Sequence, residues 1–246
     1  MLLSVISDVH ANDLAFDACL AHSRKLGVSR IVLLGDLVGY GAEPETVTRT
    51  AALLSAAGAI VIKGNHDDAV AFPDDAMNPV AAAAMQWTRQ KLSPESRAFL
   101  SALPLSAEID DLLFVHADAA SPAHWHYVTN AAAAHRSLAA TKLKITFCGH
   151  VHIPQLYCMT ATGKLVTHVP LTGVSVALSK QHRWLAVIGS AGQPRDGNPA
   201  AAFATYDTAT RMLTCRRVPY DVEAAAAKIR AAGLPEQLAA RLLVGR

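Results

Sequence analysis

Three short apolar runs open the chain, at residues 2–7, 29–34 and 59–63, and each gives way at once to polar side chains. Asp8-Val9-His10 follows the first, Gly35-Asp36 the second and Gly64-Asn65-His66-Asp67 the third. Runs of this length, rich in Leu, Ile and Val, read as buried strands. Stretches of helical period lie between them. Residues 12–26 set Leu14, Ala18 and Ala21 on one side and Asp17, Arg24 and Lys25 on the other, and Gly27 is placed to end the helix. The second helix starts at Pro44, a residue suited to a first helical turn, and runs to Gly58. Strand, helix, strand, helix, strand predicts a mostly parallel sheet with helical crossovers. The C-terminal ends of such strands gather their polar groups into one crevice.

Helices are expected next at residues 79–91 and 93–100, the latter with Ser93 as N-cap and Pro94 at its first position. Residues 107–117 read as a hairpin turning at Asp110-Asp111, with His116 at the end of its second arm. A helix at 130–140 and a strand at 144–148 lead to Gly149-His150-Val151-His152. The last third changes character. Short strand-forming runs at 156–157, 165–169, 184–188, 202–206 and 213–218 alternate with turn clusters, and those at 161–163 and 207–210 suggest antiparallel hairpins. Helices at 221–232 and 235–244 finish the chain. With no repeat or linker, the 246 residues are expected to form a single domain, 1–246, with two sheets packed together.

Charge and cysteine usage narrow the partners. The net charge is +2 and the Lys and Arg residues are scattered, so no basic stripe marks a nucleic-acid surface. Cys19, Cys148, Cys158 and Cys215 show no C-x-x-C spacing, which points to buried reduced thiols in a reducing compartment and away from a thiolate zinc site. The N-terminal apolar run lacks a basic flank and a cleavage site, and no later run is long enough to span a membrane. The expected location is cytoplasmic, with no membrane partner.

Five segments, each after an expected strand, carry metal-capable side chains: Asp8 and His10; Asp36; Asn65 and His66; His116; His150 and His152. Carboxylates, imidazoles and one amide oxygen suit Mn, Fe, Zn, Co or Ni better than Ca. Asp-x-His and His-x-His can each direct alternate side chains into one site. The donors are too many for one tetrahedral ion, so two ions sharing a carboxylate is the economical expectation. Ions about 3.5–4 Å apart suit in-line displacement at phosphorus. Taken singly, each residue has a blander account: Asp8 or Asn12 could cap a helix, and a lone His116 could be a satisfied buried imidazole. The recurrence of the right donor types at every strand end is what favours a metal site.

The ordered set Asp8-Val9-His10, Gly35-Asp36, Gly64-Asn65-His66-Asp67, Val115-His116 and Gly149-His150-Val151-His152 resembles the motif set of the calcineurin-like metallophosphoesterase superfamily and covers the chain to about Ile153. The resemblance implies an α/β fold, a two-sheet sandwich flanked by helices. It implies that Asp8, His10, Asp36 and His152 hold one divalent transition-metal ion, and that Asp36, Asn65, His116 and His150 hold a second, with Asp36 bridging. His66 would face the phosphate and either stabilise the transition state or protonate the leaving oxygen. Asp67 would pair with His66 and keep it oriented and protonated. The implied reaction is phosphoester hydrolysis, by attack of a metal-bridging hydroxide on phosphorus.

Departures from the family pattern refine the expectation. Protein Ser/Thr phosphatases of the superfamily carry Asp-Arg-Gly shortly after the bridging Asp, whereas Leu37-Val38-Gly39-Tyr40-Gly41 offers no Arg. The chain is too short for the capping domain of the superfamily's DNA nucleases. A small prokaryotic type is left: a small-molecule phosphodiesterase or nucleotide phosphatase, or alternatively a diadenosine polyphosphate hydrolase. Non-catalytic scaffolds of the superfamily, such as the retromer subunit, lack the catalytic His, which is present here as His66. Tyr40 could stack on a base or only pack its loop. Residues 189–197 are similar to a segment of one prokaryotic branch in which an Asn is commoner where Ile188 stands. Arg195 within it could meet a second phosphate but reads better as part of a turn. His124-Trp125-His126 reads as surface loop, and His22, His135, His168 and His182 are assigned no role in the site.

Overall fold

A computed structural model of the chain describes residues 1–72 and 77–246. Two six-stranded sheets face each other. The first has the order β3 (Ile60–Val61), β2 (Arg30–Leu33), β1 (Leu2–Ile6), β11 (Ala201–Asp207), β12 (Met212–Val218), β9 (Ser175–Ala177). The second runs β4 (Ser106–Ile109), β5 (Leu112–Val115), β6 (Ile145–Cys148), β10 (Arg183–Val187), β7 (Gln155–Met159), β8 (Leu165–His168). Each sheet contains one parallel trio, β3-β2-β1 in the first and β5-β6-β10 in the second, and every other pairing is antiparallel. The sheets are therefore mixed rather than mostly parallel. Helices supply the crossovers between β1, β2 and β3 and between β5 and β6; β6 and β10 are parallel too, but the chain between them runs through β7, β8 and β9.

Strand periodicity builds the layers. Alternate side chains of β1 point to opposite faces, so Leu3 and Val5 enter the core between the sheets while Ile6 joins the outer layer. The inner core stacks Phe114 on Phe147 at 5.5 Å between ring centres, and Tyr206 meets Phe147 edge-on at the same distance. Outside the first sheet, α1 (Asp13–Lys25) and α2 (Pro44–Ala56) bury Phe16, Cys19, Val47 and Ala51. Outside the second, α6 (Ala131–Ala139) buries Ala134 and Leu138 against Val115, Tyr157 and Leu185. The closing helices α7 (Val222–Ala231) and α8 (Glu236–Val244) pack on each other and on Tyr40.

Helix starts follow the polar caps. Asn12, Ser93 and Asn130 each accept the backbone N–H three residues on, at 3.1, 3.1 and 3.0 Å. Such a cap contributes about 1 kcal/mol. Helices α4 (Pro79–Lys91) and α5 (Pro94–Ala102) stand as expected from Pro79 and Ser93. Three elements depart from expectation, β9 among them, since no strand was expected at Ser175–Ala177. The third strand is short because Lys63 N leaves β2 and donates to Pro104 O at 2.8 Å. Beyond it Asn65–Ala71 forms a helix, α3, where the sequence suggested a polar loop.

The outcome for the site is simple. Six parallel strands, three per sheet, end at one edge of the sandwich, and a bridge between Ser7 and Ser190 ties the ends of β1 and β10 across the two sheets.

Candidate active site and metal centre

The loops after β1 and β2 are zipped together by backbone bonds: Asp8 N to Gly35 O, His10 N to Asp36 O and Ala11 N to Leu37 O, at 3.1, 2.9 and 2.8 Å. Two carboxylates then reach across to other loops. Asp8 Oδ2 accepts His150 N at 3.0 Å and Asp36 Oδ1 accepts His66 N at 2.9 Å. These turns place Asp8, His10, Asp36, His150 and His152 at φ between 49° and 66°, the left-handed region. Each such residue costs roughly 1–2 kcal/mol of backbone strain, and the cluster of five falls on the residues whose side chains converge.

Asp8, His10, Asp36 and His152 each offer one donor atom, and these atoms lie within 4.8 Å of one another; Asp36, His116 and His150 form a second such group. Asp36 belongs to both. Its Oδ2 is 3.6 Å from His10 Nε2 and 3.4 Å from His116 Nε2. Asn65 Oδ1 stands beside the second group, 3.2 Å from His116 Nε2. All seven residues expected as metal ligands thus meet at one place. Among the described residues the remaining histidines, His66 included, join neither group.

The hydrogen bonds behind the donors test whether a metal fits. His10 Nδ1 faces Val38 O at 3.2 Å and His152 Nδ1 faces Gln193 O at 2.6 Å. A carbonyl only accepts, so each Nδ1 carries the hydrogen, and the neutral ring then presents a lone pair at Nε2. Those two Nε2 atoms lie 3.1 Å apart, with Asp8 Oδ1 3.3 Å from His152 Nε2. Acceptors facing acceptors in a buried space are well satisfied by a cation between them, and the donor set suits a divalent transition metal. His116 shows the same demand differently. Burial opposes its charge, yet Asp36 beside it pushes its pKa up to about 9. Asp36 itself stays well below the carboxylate range, since His116 and His66 outweigh burial. Burial drives His10 down, and burial with His116 takes His150 down to about 3.

His66 lies in the wall beside these groups. Its Nδ1 is 3.3 Å from Met85 Sδ, and its ring meets Tyr40 at 4.5 Å and His10 at 4.9 Å between centres. Burial lowers its pKa. The expected pairing of Asp67 with His66 is not formed. Asp67 Oδ2 instead accepts Gly64 N at 2.9 Å, and Oδ1 accepts Leu37 N and Val38 N at 2.9 and 3.3 Å. Asp67 is the third residue of α3, so its carboxylate reaches back to the N-cap, as helix-capping residues do. The Gly64-x-x-Asp67 spacing was the signal for this role. Burial and the Asp36 charge push Asp67 up to about 7 against those three N–H bonds.

The donors open on a crevice of about 300 Å³. Sequence reasoning left several of its wall residues outside the site. His124 and Trp125 line it rather than lying on a plain surface loop, and so do Tyr127 and Arg195. Tyr127 stacks on His150 at 3.9 Å and 20°, and Trp125 meets His116 edge-on at 5.8 Å. Tyr40 does pack its loop, and it also faces the crevice. Nothing in the spacing of Tyr127 announces its place, because it depends on how the loop after β5 folds back.

Known proteins share this sequence pattern and fold. The model of the calcineurin-like phosphoesterase superfamily domain matches residues 1–211. An uncharacterized protein of Methanocaldococcus jannaschii is 32% identical over 251 residues, spanning 100% of this chain and 98% of that protein. The crystal structure of a metallophosphoesterase from Sphaerobacter thermophilus superposes with a TM-score of 0.88 at 35% identity, covering 100% of this chain and 99% of that one. A hypothetical protein from Pyrococcus horikoshii OT3 shares the fold, with a TM-score of 0.82 at 20% identity over 100% of this chain and 98% of that one. No described helix is long and apolar enough to cross a membrane. With donors for metal ions gathered at the shared strand ends of a two-sheet α/β sandwich, the chain belongs to the calcineurin-like phosphoesterase superfamily and is a phosphoester hydrolase.

Proposed function

We propose that two divalent transition-metal ions, of the Mn, Fe, Ni, Co or Zn kind, share Asp36 in this centre, and that the protein hydrolyses a small phosphodiester or a nucleotide. The observation that carries the reading is the meeting of two donor groups at one carboxylate. Asp8, His10 and His152 would complete one ion's ligands and Asn65, His116 and His150 the other's. The chemistry such ions supply is the acidification of a water and the neutralisation of charge on phosphoryl oxygens. The chain's own residues do the rest. His66, in the crevice wall, donates a hydrogen bond to a phosphoryl oxygen or a proton to the leaving oxygen. Asp67 acts indirectly, by fixing the start of the helix that carries Asn65 and His66.

Tyr40, Trp125 and Tyr127 in the wall favour a substrate with a base to stack, so a diadenosine polyphosphate stands beside a mononucleotide as substrate. The pairing of β1 with β11 joins the two ends of the chain in one sheet, which supports a single domain over 1–246. Four buried free thiols support a reducing, cytoplasmic setting. The test is a panel of phosphodiesters, nucleotides and dinucleoside polyphosphates run with Mn, Ni, Co, Mg and Zn, with elemental analysis of the protein as isolated. His66→Ala should remove most turnover and leave the metal content unchanged. Full activity in that variant would sink the assignment of His66.

A further inference from the structure

Arg195 stands in the turn that follows β10, the sixth parallel strand to end at the crevice. The turn is tied to the metal centre. Gln193 O holds the His152 ring, and Arg195 N donates to His152 O at 3.3 Å. The guanidinium is positioned from two sides: Arg195 Nη2 donates to Gln193 Oε1 at 3.0 Å, and its carbon lies 5.9 Å from the Tyr40 ring centre. Arg195 Nε is enclosed and has no acceptor. Arg195 is also the one permanently charged cation among the described residues that line the crevice.

The rest of the guanidinium faces the crevice, and a phosphoryl oxygen is the acceptor that a guanidinium fork fits best. The Leu37–Gly41 stretch supplies no cation of its own. We propose that Arg195 is a substrate-binding residue that grips a phosphoryl oxygen a simple diester lacks, the third free oxygen of a phosphomonoester or one on the next phosphate of a polyphosphate, directing the crevice towards phosphomonoesters and nucleoside polyphosphates over simple diesters. The proposal rests on the phosphoester reading above. The oxygen belongs either to the phosphorus attacked or to the next phosphate of a polyphosphate. A diester carries a single negative charge shared by two oxygens, so it gains least from a second cationic contact. Tyr40 flanks the group, and Tyr127 lines the same crevice.

The test compares Arg195→Met and Arg195→Lys with the wild type, each loaded with Mn. Substrates are p-nitrophenyl phosphate, bis(p-nitrophenyl) phosphate and a nucleoside diphosphate, and the binding of inorganic phosphate is followed by calorimetry. Arg195→Met should lower kcat/KM, mainly through KM, by about tenfold or more wherever the gripped oxygen is present, leave the diester within about threefold, and weaken phosphate binding about tenfold. Loss on the monoester places the oxygen on the attacked phosphorus; loss on the diphosphate alone places it on the neighbouring phosphate. Arg195→Lys, which keeps the charge without the fork, should recover part of each loss. Equal loss on all three substrates, no loss on any, unchanged phosphate binding, or a fall in metal content in both variants would each overturn the proposal. Failure of the wild type to turn over any of the three esters would count against the substrate reading instead, and phosphate binding would still decide the role of Arg195.

Discussion

Gly39→Ala is the sharpest probe of His66, because it disturbs the imidazole without touching a proposed ligand. Gly39 has φ +86°, and a Cβ there would lie 2.4 Å from His66 Nδ1 and 3.1 Å from Met85 Sδ. The ring must retreat by about 1 Å to reach ordinary van der Waals distance. It has little freedom to do so, since Tyr40 packs beside it and its backbone N–H is held by Asp36. A displacement of that size in a reacting group can lower the rate about 100-fold. The left-handed backbone adds a stability cost of about 1–2 kcal/mol, which lowers the Tm of a chain this size by roughly 2–8 °C. Gly58→Ala is the control. Gly58 has φ +96° with open space around the added carbon, so it carries the backbone cost alone. Steady-state kinetics, thermal melting and elemental analysis of both variants are needed. Gly39→Ala should lose kcat about 100-fold with its metal retained, while Gly58→Ala keeps kcat and loses only Tm. If the two variants keep the same kcat, His66 is not the group that meets the phosphate.

Other perturbations separate the two donor groups. His152→Ala and His116→Ala should each lower the metal retained after gel filtration to about half, and Asp36→Asn should release both ions, because it alone serves both groups; a full complement in Asp36→Asn would contradict the shared ligand. Gly192→Ala puts a Cβ 1.7 Å from Val9 O, a backbone atom that cannot yield, so it should cost about 3 kcal/mol or more in urea unfolding. Glu45 accepts Ser93 N and Ser93 Oγ, both at 3.0 Å. Although burial works against its charge, these bonds hold its carboxyl below the usual range. A depressed pKa stabilises the fold above the unfolded value and loses that contribution as pH falls through the folded one. Glu45→Gln should therefore lower Tm slightly at neutral pH and flatten its decline below about pH 5; an unchanged acid limb would refute the link.

Much of the site was legible because metal donors must sit at strand ends, and strand ends are visible where apolar runs stop. Asp8, His10, Asp36, Asn65, His116, His150 and His152 all follow such stops, and the structure brings them together. Helix starts at Asn12, Ser93 and Asn130 were equally plain, since a cap acts within three residues. What could not be read was set by distant pairing. The order β6-β10-β7 places a late strand between two earlier ones, and β11 lies beside β1 only through the long return of the chain. The strand β9 has three residues, too few to show a period. Asp67 misled for a local reason: a carboxylate next to His66 suggests a pair, but its reach towards its own helix start won.

The left-handed turns have a consequence for how this site can vary. Outside glycine, the residues that enter that region most readily are Asn, Asp and His, several-fold above the rest. Those are also side chains that hold metal ions. At Asp8, His10, Asp36, His150 and His152 the conformational filter and the chemical filter pass nearly the same alphabet. A saturation library at these positions should show two separable classes of survivor: glycine, which keeps the fold and forfeits the metal, and the few polar residues that keep both. Branched residues should be lost from each class alike.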